Sequence, residues 1–307
     1  MTVVTGTGTV QHPHDDRALR FKDRATRLAV AAAEAALADA GLLADGALTV
    51  PGTDVGTVVS SNLATLDTVR RVAAALDRDG PAALRAVDLP NACSNATASN
   101  VAIRFGLRGI NLMLCNGATS GLDAVGWADL ALAAGRARYV LVVGVEPADG
   151  AVRQPAGGDG AFDGAAALVL ERAATAAARG RRARAVVAGY ARRRDGAAAA
   201  GAAARAAGGA GPGLWLPPES GADAAAPPPP AVVHDLGRTL PPASGAFGVL
   251  QCLAATAWFD AGTPDGVPPT ALAVAGGGAA DDAASAVLLT AAAPYDGVSK
   301  GESEGDG

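Results

Sequence analysis

Hydrophobic positions follow two different periods along the chain, and stretches of one period alternate with stretches of the other. Short apolar runs rich in valine and alanine predict β-strands at 3–10, 54–60, 110–115, 139–145, 165–170 and 183–191, with two more around a glycine-rich bend in 270–292. Apolar residues at helical spacing predict helices over 23–40, 65–77, 90–106, 122–134 and 245–259. Because strands and helices alternate and the strands are apolar throughout, the pattern indicates a layered α/β protein with buried sheets.

Three segments lie outside this pattern. Residues 197–210 and 221–230 have low complexity, and the second ends in four consecutive prolines. Such segments bury too little apolar surface to offset the entropy lost on ordering, so both are predicted to be loose connections. The polar tail, 296–307, is predicted to be disordered.

Composition and charge narrow the classes of function. A net charge of -5 with a pI near 5.2 argues against nucleic-acid binding, and the arginine-rich run 179–184 is predicted to be a solvated connection. No apolar run reaches the length of a membrane span and the first residues lack the layout of a signal peptide, so a cytoplasmic protein without a membrane partner is expected. Cys93, Cys115 and Cys252 are scattered without CxxC spacing, so neither a disulfide framework nor a metal site is predicted.

The stretch 115–124, CNGATSGLDA, has the layout of an enzyme's nucleophile turn. An apolar strand leads into small residues, and a helix then carries the chain to a second apolar strand. At the tip of the turn, where a nucleophile is expected, stands Ala118.

Two longer stretches carry a resemblance to a known family. SNVAIRFGLRGIN at 99–111 and SGLDAVGWADLALAAGRARYVLVVGVE at 120–146 resemble the β-ketoacyl synthases of the thiolase fold. VVTGTGTV, RLAVAAAEAALADAGL and FDGAAALVLE resemble further family segments and occur in the family's order. The resemblance implies an α/β, thiolase-like fold with layers αβαβα and two pseudo-repeated halves, 1–157 and 158–295, truncated relative to typical ketosynthases.

The same resemblance indicates which parts of the family's chemistry are missing. The nucleophilic cysteine falls on Ala118, and a methyl group cannot form a thioester. One family histidine belongs to an HGTGT loop that is absent here, and the other falls on Arg238 or Thr239. The lysine that accompanies the second histidine is missing as well. The chain is therefore expected not to be an enzyme by itself, and no cofactor or metal is expected.

In polyketide-forming systems of this family, an inactive ketosynthase-like subunit called the chain-length factor pairs with an active ketosynthase. The resemblance implies that role here, in a heterodimer joined along the strand 110–115 that serves an acyl carrier protein with its growing polyketide chain, polyenes included. Side chains expected at the acyl tunnel or the interface are Thr68, Val69, Leu89, Ala92, Cys93, Ile110, Leu112 and Leu114. Chain-length factors commonly carry glutamine in place of the cysteine, so an alanine leaves the subfamily open.

Two alternatives remain open on the sequence. A stand-alone condensing or acyltransferase enzyme would need Cys115 or Cys93 as an unusual nucleophile, with His234 as a displaced catalytic histidine. Cys115 is expected instead to be a small buried side chain, Cys93 has no apolar strand before it, and Cys252 is expected in the core. The second alternative is a homodimeric protein that binds an acyl chain or an acyl carrier protein without a synthase partner.

Two further features favour structural interpretations. His12 and His14 flank a shortened connection and are expected at the surface. Neither GTGTV at 6–10 nor the glycines 276–278 have the spacing of a phosphate-binding loop, so close backbone packing is predicted for both.

Overall fold

The computed structural model describes residues 1–13, 17–150, 160–209, 211–220 and 232–293. Its strands are β1 (Thr2–Val10), β2 (Leu43–Ala44), β3 (Ala47–Leu48), β4 (Val55–Ser60), β5 (Asn111–Leu114), β6 (Tyr139–Glu146), β7 (Gly164–Arg172), β8 (Ala185–Arg193), β9 (Leu214–Leu216), β10 (Val232–Val233), β11 (Thr270–Gly276) and β12 (Ala284–Ala291). The described helices are α1 (Arg24–Asp39), α2 (Leu66–Asp79), α3 (Asp88–Ala92), α4 (Ala96–Phe105), α5 (Ser120–Ala133), α6 (Ala173–Ala178), α7 (Gly196–Ala206) and α8 (Phe247–Ala261).

The main sheet is built from the same five-strand arrangement twice. In the first half-sheet, β1 and β7 pair antiparallel, β7 and β6 pair antiparallel, and β6, β4 and β5 follow as parallel neighbours. In the second, β8 and β12 pair antiparallel, β12 and β11 pair antiparallel, and β11, β9 and β10 follow as parallel neighbours. A short antiparallel pairing of β1 with β8 joins the halves, with Thr2 opposite Val187. The pseudo-repeat predicted from the sequence is therefore present in the strand order.

Three hydrophobic clusters mark the layers of the fold. The central cluster holds α5 and α8 between the two half-sheets, with Leu122, Val249 and Val287 fully buried. A second cluster lies between α1 and the outer face of the first half-sheet, and a third lies between α7 and the outer face of the second. Alternate residues of β6 enter the central and the outer cluster, because both faces of this sheet are covered. The order helix, sheet, helix, sheet, helix is the predicted αβαβα layering.

The two central helices touch at their first turns, where Gly121 of α5 meets Gly248 of α8. A Cβ atom on Gly121 would lie 2.7 Å from the backbone nitrogen of Gly248, and one on Gly248 would lie 2.3 Å from that of Leu122. Atoms that are not bonded to each other do not approach so closely, so glycine is required at both positions for this contact. The contact brings the N-terminal ends of α5 and α8 together and positions the candidate site.

The prediction of a loose connection over 197–210 was wrong, because most of this segment is helix α7. Asp195 precedes the helix in an extended conformation, and its Oδ1 accepts the Ala198 N–H at 2.8 Å, which caps the first turn. Ala199 and Ala203 are fully buried in the outer cluster of the second half-sheet. Low complexity misled here because alanine is the strongest helix former, and its methyl groups suffice for close packing on a sheet.

The arginine-rich run 179–184 is not the solvated connection predicted for it. The Arg179 guanidinium pairs with Glu171, which is fully buried and also accepts the Thr5 hydroxyl at 2.7 Å. Arg184 pairs with Asp39 at 2.7 Å and with Asp260 at 2.6 Å. These arginines tie α1, β7 and α8 together, so the run is part of the fold.

Other differences are local. The helix predicted over 90–106 is interrupted at 93–95, which separates α3 from α4. The hairpin of β2 and β3 and the short strands β9 and β10 carry too few residues for a periodic signal and were not predicted. His12 is exposed as expected, whereas His14, the proline-rich stretch 221–230 and the tail 296–307 lie outside the described residues. Among the described helices, none combines the length and the hydropathy needed to cross a membrane.

Candidate functional site

The turn that carries Ala118 follows directly from the end of β5. Gly117 has φ +76°, a left-handed conformation that glycine adopts without strain, and a 3-10 turn over Gly117–Thr119 leads into α5. The Ser120 hydroxyl donates to the Gly117 carbonyl at 2.8 Å and accepts the Asn116 N–H at 2.9 Å. The half-buried methyl group of Ala118 therefore stands at the tip of a well-defined turn at the start of a helix.

A cavity of about 480 Å³ opens beside Ala118. Its walls come from both halves of the fold, and its described lining includes Ala118, Glu219, Phe247, Ala275, Gly276 and Asp281. No cysteine, histidine or lysine occurs among the described residues that line it. Those side chains therefore offer neither a thiol nucleophile nor an imidazole for acyl transfer at this turn.

The glycine-rich bend after β11 packs closely against the turn, as the sequence analysis predicts. Gly276 has φ +74°, and a Cβ atom there would lie 2.5 Å from the Ala283 carbonyl oxygen and 2.9 Å from Cγ2 of Thr119. Any other residue would be strained at this φ and would collide with backbone, so the approach of the bend to the turn depends on this glycine.

A buried carboxylate, Glu146, connects the loops around the site. Its oxygens accept the Ser61 hydroxyl at 2.9 Å and the backbone N–H groups of Asn62, Leu63 and Gly245 at 2.7, 3.1 and 2.9 Å. Burial raises the pKa of Glu146 to about 7, although these hydrogen bonds favour the charged form and oppose the shift. The end of β6 is thereby held to the β4–α2 loop and to the turn that precedes α8.

Asn62 extends this connection to the Ala118 turn. Its Nδ2 donates to the Gly117 carbonyl at 3.0 Å and to the Ser244 hydroxyl at 2.8 Å, and its Oδ1 accepts the Gly117 N–H at 3.2 Å. Ser244 has φ +44°, which is unusual for a residue with a side chain. The turns before α5 and before α8 are thus held by one amide side chain.

The acidic residue Glu219 lines the cavity and binds the turn that precedes α8. Its carboxylate accepts the backbone N–H groups of Ala243 and Ser244, and burial raises its pKa. The residues predicted at the degenerate histidine position, Arg238 and Thr239, are exposed and are not among the described lining of the cavity. His234 is exposed too, on the segment that follows β10.

The three cysteines differ in environment. Cys115 is exposed, so the prediction of a small buried side chain was wrong. Strand β5 ends at Leu114, and Cys115 is the first residue after it. Partial desolvation and the charge of Glu146 raise the pKa of the Cys115 thiol, which disfavours the reactive thiolate. Cys93 is exposed, and its Sγ lies 3.5 Å from the Leu89 carbonyl oxygen. Cys252 is buried in the core as predicted, and burial raises its pKa to about 12.

Comparison with known proteins agrees with this architecture. Residues 12–153 match the family model described as beta-ketoacyl synthase, N-terminal domain. A solved beta-ketoacyl synthase from Burkholderia phymatum STM815 superposes with a TM-score of 0.74 at 17% identity, over 95% of this chain and 99% of that one. The protein has the thiolase-like ketosynthase fold.

Two other ketosynthase structures are similar to this chain. The ishigamide ketosynthase/chain length factor gives a TM-score of 0.71 at 20% identity, over 94% of this chain and 99% of that one. The AntDE:AntF complex is a type II PKS acyl-carrier protein in complex with its ketosynthase bound to the hexaketide. It gives a TM-score of 0.69 at 17% identity, over 95% of this chain and 99% of that one. No curated protein sequence matches the chain.

Within this ketosynthase fold, the predicted tunnel and interface residues fall into two groups. On α2 and α3, Val69 and Leu89 are exposed by 43% and 60%, Cys93 is exposed, Ala92 is half-buried and Thr68 is buried. On and before β5, three side chains are half-buried and pack against the central cluster, namely Ile110, Leu112 and Leu114. These three side chains therefore belong mainly to the core. A neighbouring subunit could contact β5 through the backbone groups at its open edge.

Sequence reasoning missed the polar residues that organise the site of this ketosynthase fold. Glu146, Asn62 and Asp123 make their hydrogen bonds to residues far away in the chain, so no local pattern marks their partners. Glu146 and Asp123 did carry a signal, because each is an acid with apolar neighbours in a strand or helix that the pattern places in the core. A carboxylate in such a place needs polar partners, and this requirement predicts a buried network.

Proposed function

We propose that this chain is a non-catalytic subunit of the chain-length-factor type, which pairs with an active ketosynthase and shapes the tunnel for a growing polyketide. The observation that carries the proposal is the methyl group of Ala118 at the tip of an intact nucleophile turn. Because a methyl group cannot attack a thioester, the turn has no covalent chemistry of its own and its architecture serves another purpose.

The open edge of β5 supports the pairing. Among the described residues, β5 is the last strand of the sheet, and β4 is its one pairing partner. The carbonyls of Ile110 and Leu114 accept N–H groups from the β4 side, so strand alternation turns the backbone groups of Asn111 and Met113 outward. An unpaired strand edge readily accepts a second strand, and an antiparallel counterpart from a ketosynthase would extend the sheet.

Exposed apolar side chains on α2, α3 and α4 support the same proposal. Val69 and Leu76 on α2, Leu89 on α3 and Ile103 on α4 are all exposed. α2 is amphipathic, yet Thr68 is its only fully buried residue in the described structure. Apolar residues on the outer side of a helix indicate a surface that another protein covers, which fits a tunnel wall at a subunit interface.

The α2–α3 surface is held in place by charge pairs. Asp88 accepts Arg71 Nη1 at 2.9 Å and the Arg85 backbone N–H at 2.9 Å, so the start of α3 is fixed against α2. A rigid surface can limit how far an acyl chain extends, because a flexible surface would move aside as the acyl chain grows. The likeness to a solved ketosynthase/chain length factor agrees with the proposal at the level of fold.

Co-expression with an active type II ketosynthase tests the proposal. We expect the two chains to purify together as a heterodimer, to bind the acyl carrier protein, and to make a polyketide whose length changes when this chain is exchanged. If the chain instead forms a homodimer and does not bind the ketosynthase, the result would support an acyl-binding protein without a synthase partner. Stable acylation of this chain alone by an acyl or malonyl thioester would support a stand-alone enzyme that uses Cys115 or Cys93.

A further inference from the structure

A second cavity, of about 580 Å³, lies on the flank of α5. The lining residues that matter here are Asn116, Trp127, Asp129, Leu130, Tyr190 and Arg192. It shares no described residue with the cavity beside Ala118. Asn116 follows β5 after one intervening residue, so the cavity begins where the open edge of the sheet ends.

One wall of this cavity, called here the flank cavity, is apolar and uncovered. The side chains of Trp127 and Leu130 are exposed by 48% and 55%, although both belong to the central helix layer. The opposite wall is Tyr190, whose ring fits because Gly126 has no side chain: a Cβ there would lie 2.6 Å from the ring. An exposed indole beside a cavity provides a flat surface on which a planar or apolar group can stack.

The charges of the flank cavity do not cancel. Asp123, which is buried, accepts the Tyr190 hydroxyl at 2.9 Å and the side chains of Asn116 and Ser285, and its Oδ2 lies 3.4 Å from Nε of Arg192. Arg192 therefore compensates Asp123. Asp129 has no ion-pair or hydrogen-bond partner for its carboxylate among the described residues, so the cavity keeps one unmatched negative charge.

We propose that the flank cavity receives a basic side chain, with a guanidinium as the fitting group, from the partner subunit that pairs along β5. The inference rests on the proposed function, because it names what that partner contributes beyond the strand. A guanidinium is flat, stacks on an aromatic face and donates two parallel hydrogen bonds to a carboxylate. Trp127 and Asp129 offer that face and that carboxylate, next to the strand edge that the partner covers.

The isolated chain tests the chemistry of the cavity. The probe is N-acetylarginine amide, and its neutral counterpart of the same shape is N-acetylcitrulline amide. We expect the arginine probe to shift the indole N–H resonance of Trp127, which is identified by its loss in Trp127→Phe. The expected Kd is about 30 mM or weaker, since an exposed cation–π contact and an exposed ion pair are each worth about 1 kcal/mol or less. Asp129→Asn should weaken this binding at least fivefold, whereas Glu34→Gln, which removes an equal charge from the exposed face of α1, should leave it unchanged.

An equal response to both probes, or no response of Trp127 to either, would overturn the inference. The heterodimer supplies the second test: Asp129→Asn should weaken association with the ketosynthase by about tenfold, the usual scale for a partly buried charge contact at an interface. A heterodimer that is insensitive to Asp129→Asn would overturn the inference and leave the proposed function standing. Failure of the unaltered chain to bind any ketosynthase would overturn the proposed function itself.

Discussion

Asn62 holds the backbone of Gly117 from both sides, with its Nδ2 on the carbonyl at 3.0 Å and its Oδ1 on the N–H at 3.2 Å. The two residues are 55 positions apart in the chain, and their contact fixes the turn that carries Ala118. A side-chain amide can replace a backbone partner in this way because its N–H and C=O groups lie in the same plane, as those of a peptide do.

Replacement of this amide should loosen the turn. We expect Asn62→Ala to lower the free energy of unfolding by about 1–3 kcal/mol, because its hydrogen bonds to Gly117 and Ser244 are lost together and each is worth about 0.5–1.5 kcal/mol. Asn100→Ala is the matched control: its Nδ2 donates only to the Ala96 carbonyl one helical turn earlier, at 2.7 Å, and its loss should cost less than about 1 kcal/mol. Urea unfolding followed by circular dichroism measures both, and equal losses would contradict the role given to Asn62.

The raised pKa of Glu146 predicts a pH dependence of stability. The pKa rises from 4.5 to about 7 in the folded state, so between these values the folded chain binds more protons than the unfolded chain. The contribution of Glu146 to stability is therefore complete below about pH 4.5 and declines as the pH rises towards 7.

Glu146→Gln isolates this contribution. The difference in unfolding free energy between the unaltered chain and the variant should fall as the pH increases from 4.5 to 7. Glu34→Gln, on the exposed face of α1, should give a difference that stays flat over the same range. A flat difference for Glu146→Gln would mean that the carboxylate is charged at all of these pH values.

Restoring a thiol at the turn should not restore the reaction. Ala118→Cys places a thiol at the start of α5, where the helix favours the thiolate, so alkylation by iodoacetamide at this position is expected. Condensation should nevertheless remain at background, because an acid–base partner usually supplies about 10²–10⁴ in rate and the described cavity lining has no histidine. Peptide mass analysis measures the alkylation and a carrier-protein assay the condensation, with Ala118→Ser as control. Condensing activity of Ala118→Cys alone would show that the catalytic partners survive elsewhere.

The glycine-rich bend beside the site should tolerate no side chain. Gly276→Ala adds a Cβ atom 2.5 Å from the Ala283 carbonyl oxygen in a backbone with φ +74°, so a loss of about 2–4 kcal/mol is expected from strain and collision together. Gly106→Ala is the control: its φ of +67° and ψ of +28° lie in the left-handed helical region, but nothing lies within 4 Å of the added atom, so only a strain of about 1 kcal/mol remains. Thermal unfolding should rank the two variants in this order.

The edge of β5 can be blocked by a single proline. Met113→Pro removes an N–H group that points away from β4, where proline is tolerated on an edge strand. We expect this variant to lose the heterodimer, whereas Met113→Leu, which keeps the N–H and an apolar side chain, should retain it. Size-exclusion chromatography with the ketosynthase distinguishes them, and an intact heterodimer with Met113→Pro would place the interface elsewhere.

Local patterns were enough to predict the long strands, the long helices and the Ala118 turn, because each is specified by neighbouring residues. Helix α7 was missed since alanine-rich sequence was taken for disorder, although Asp195 supplies a clear N-terminal cap. Cys115 was expected to be buried because its exposure depends on where β5 ends. The partners that Glu146 and Asn62 bind could not be predicted, since these residues meet only after distant strands have paired.

The contact between Gly121 and Gly248 means that neither half of the chain can change at this position independently of the other. The positions are equivalent, because each is the second residue of the helix that follows the edge strand of its half. A methyl group at Gly121 or Gly248 would collide with the backbone of the opposite helix. That backbone could move away only if the turn before its own helix moved too. The side chain at the tip of either turn can therefore change while the backbone that carries it stays fixed by this mutual contact.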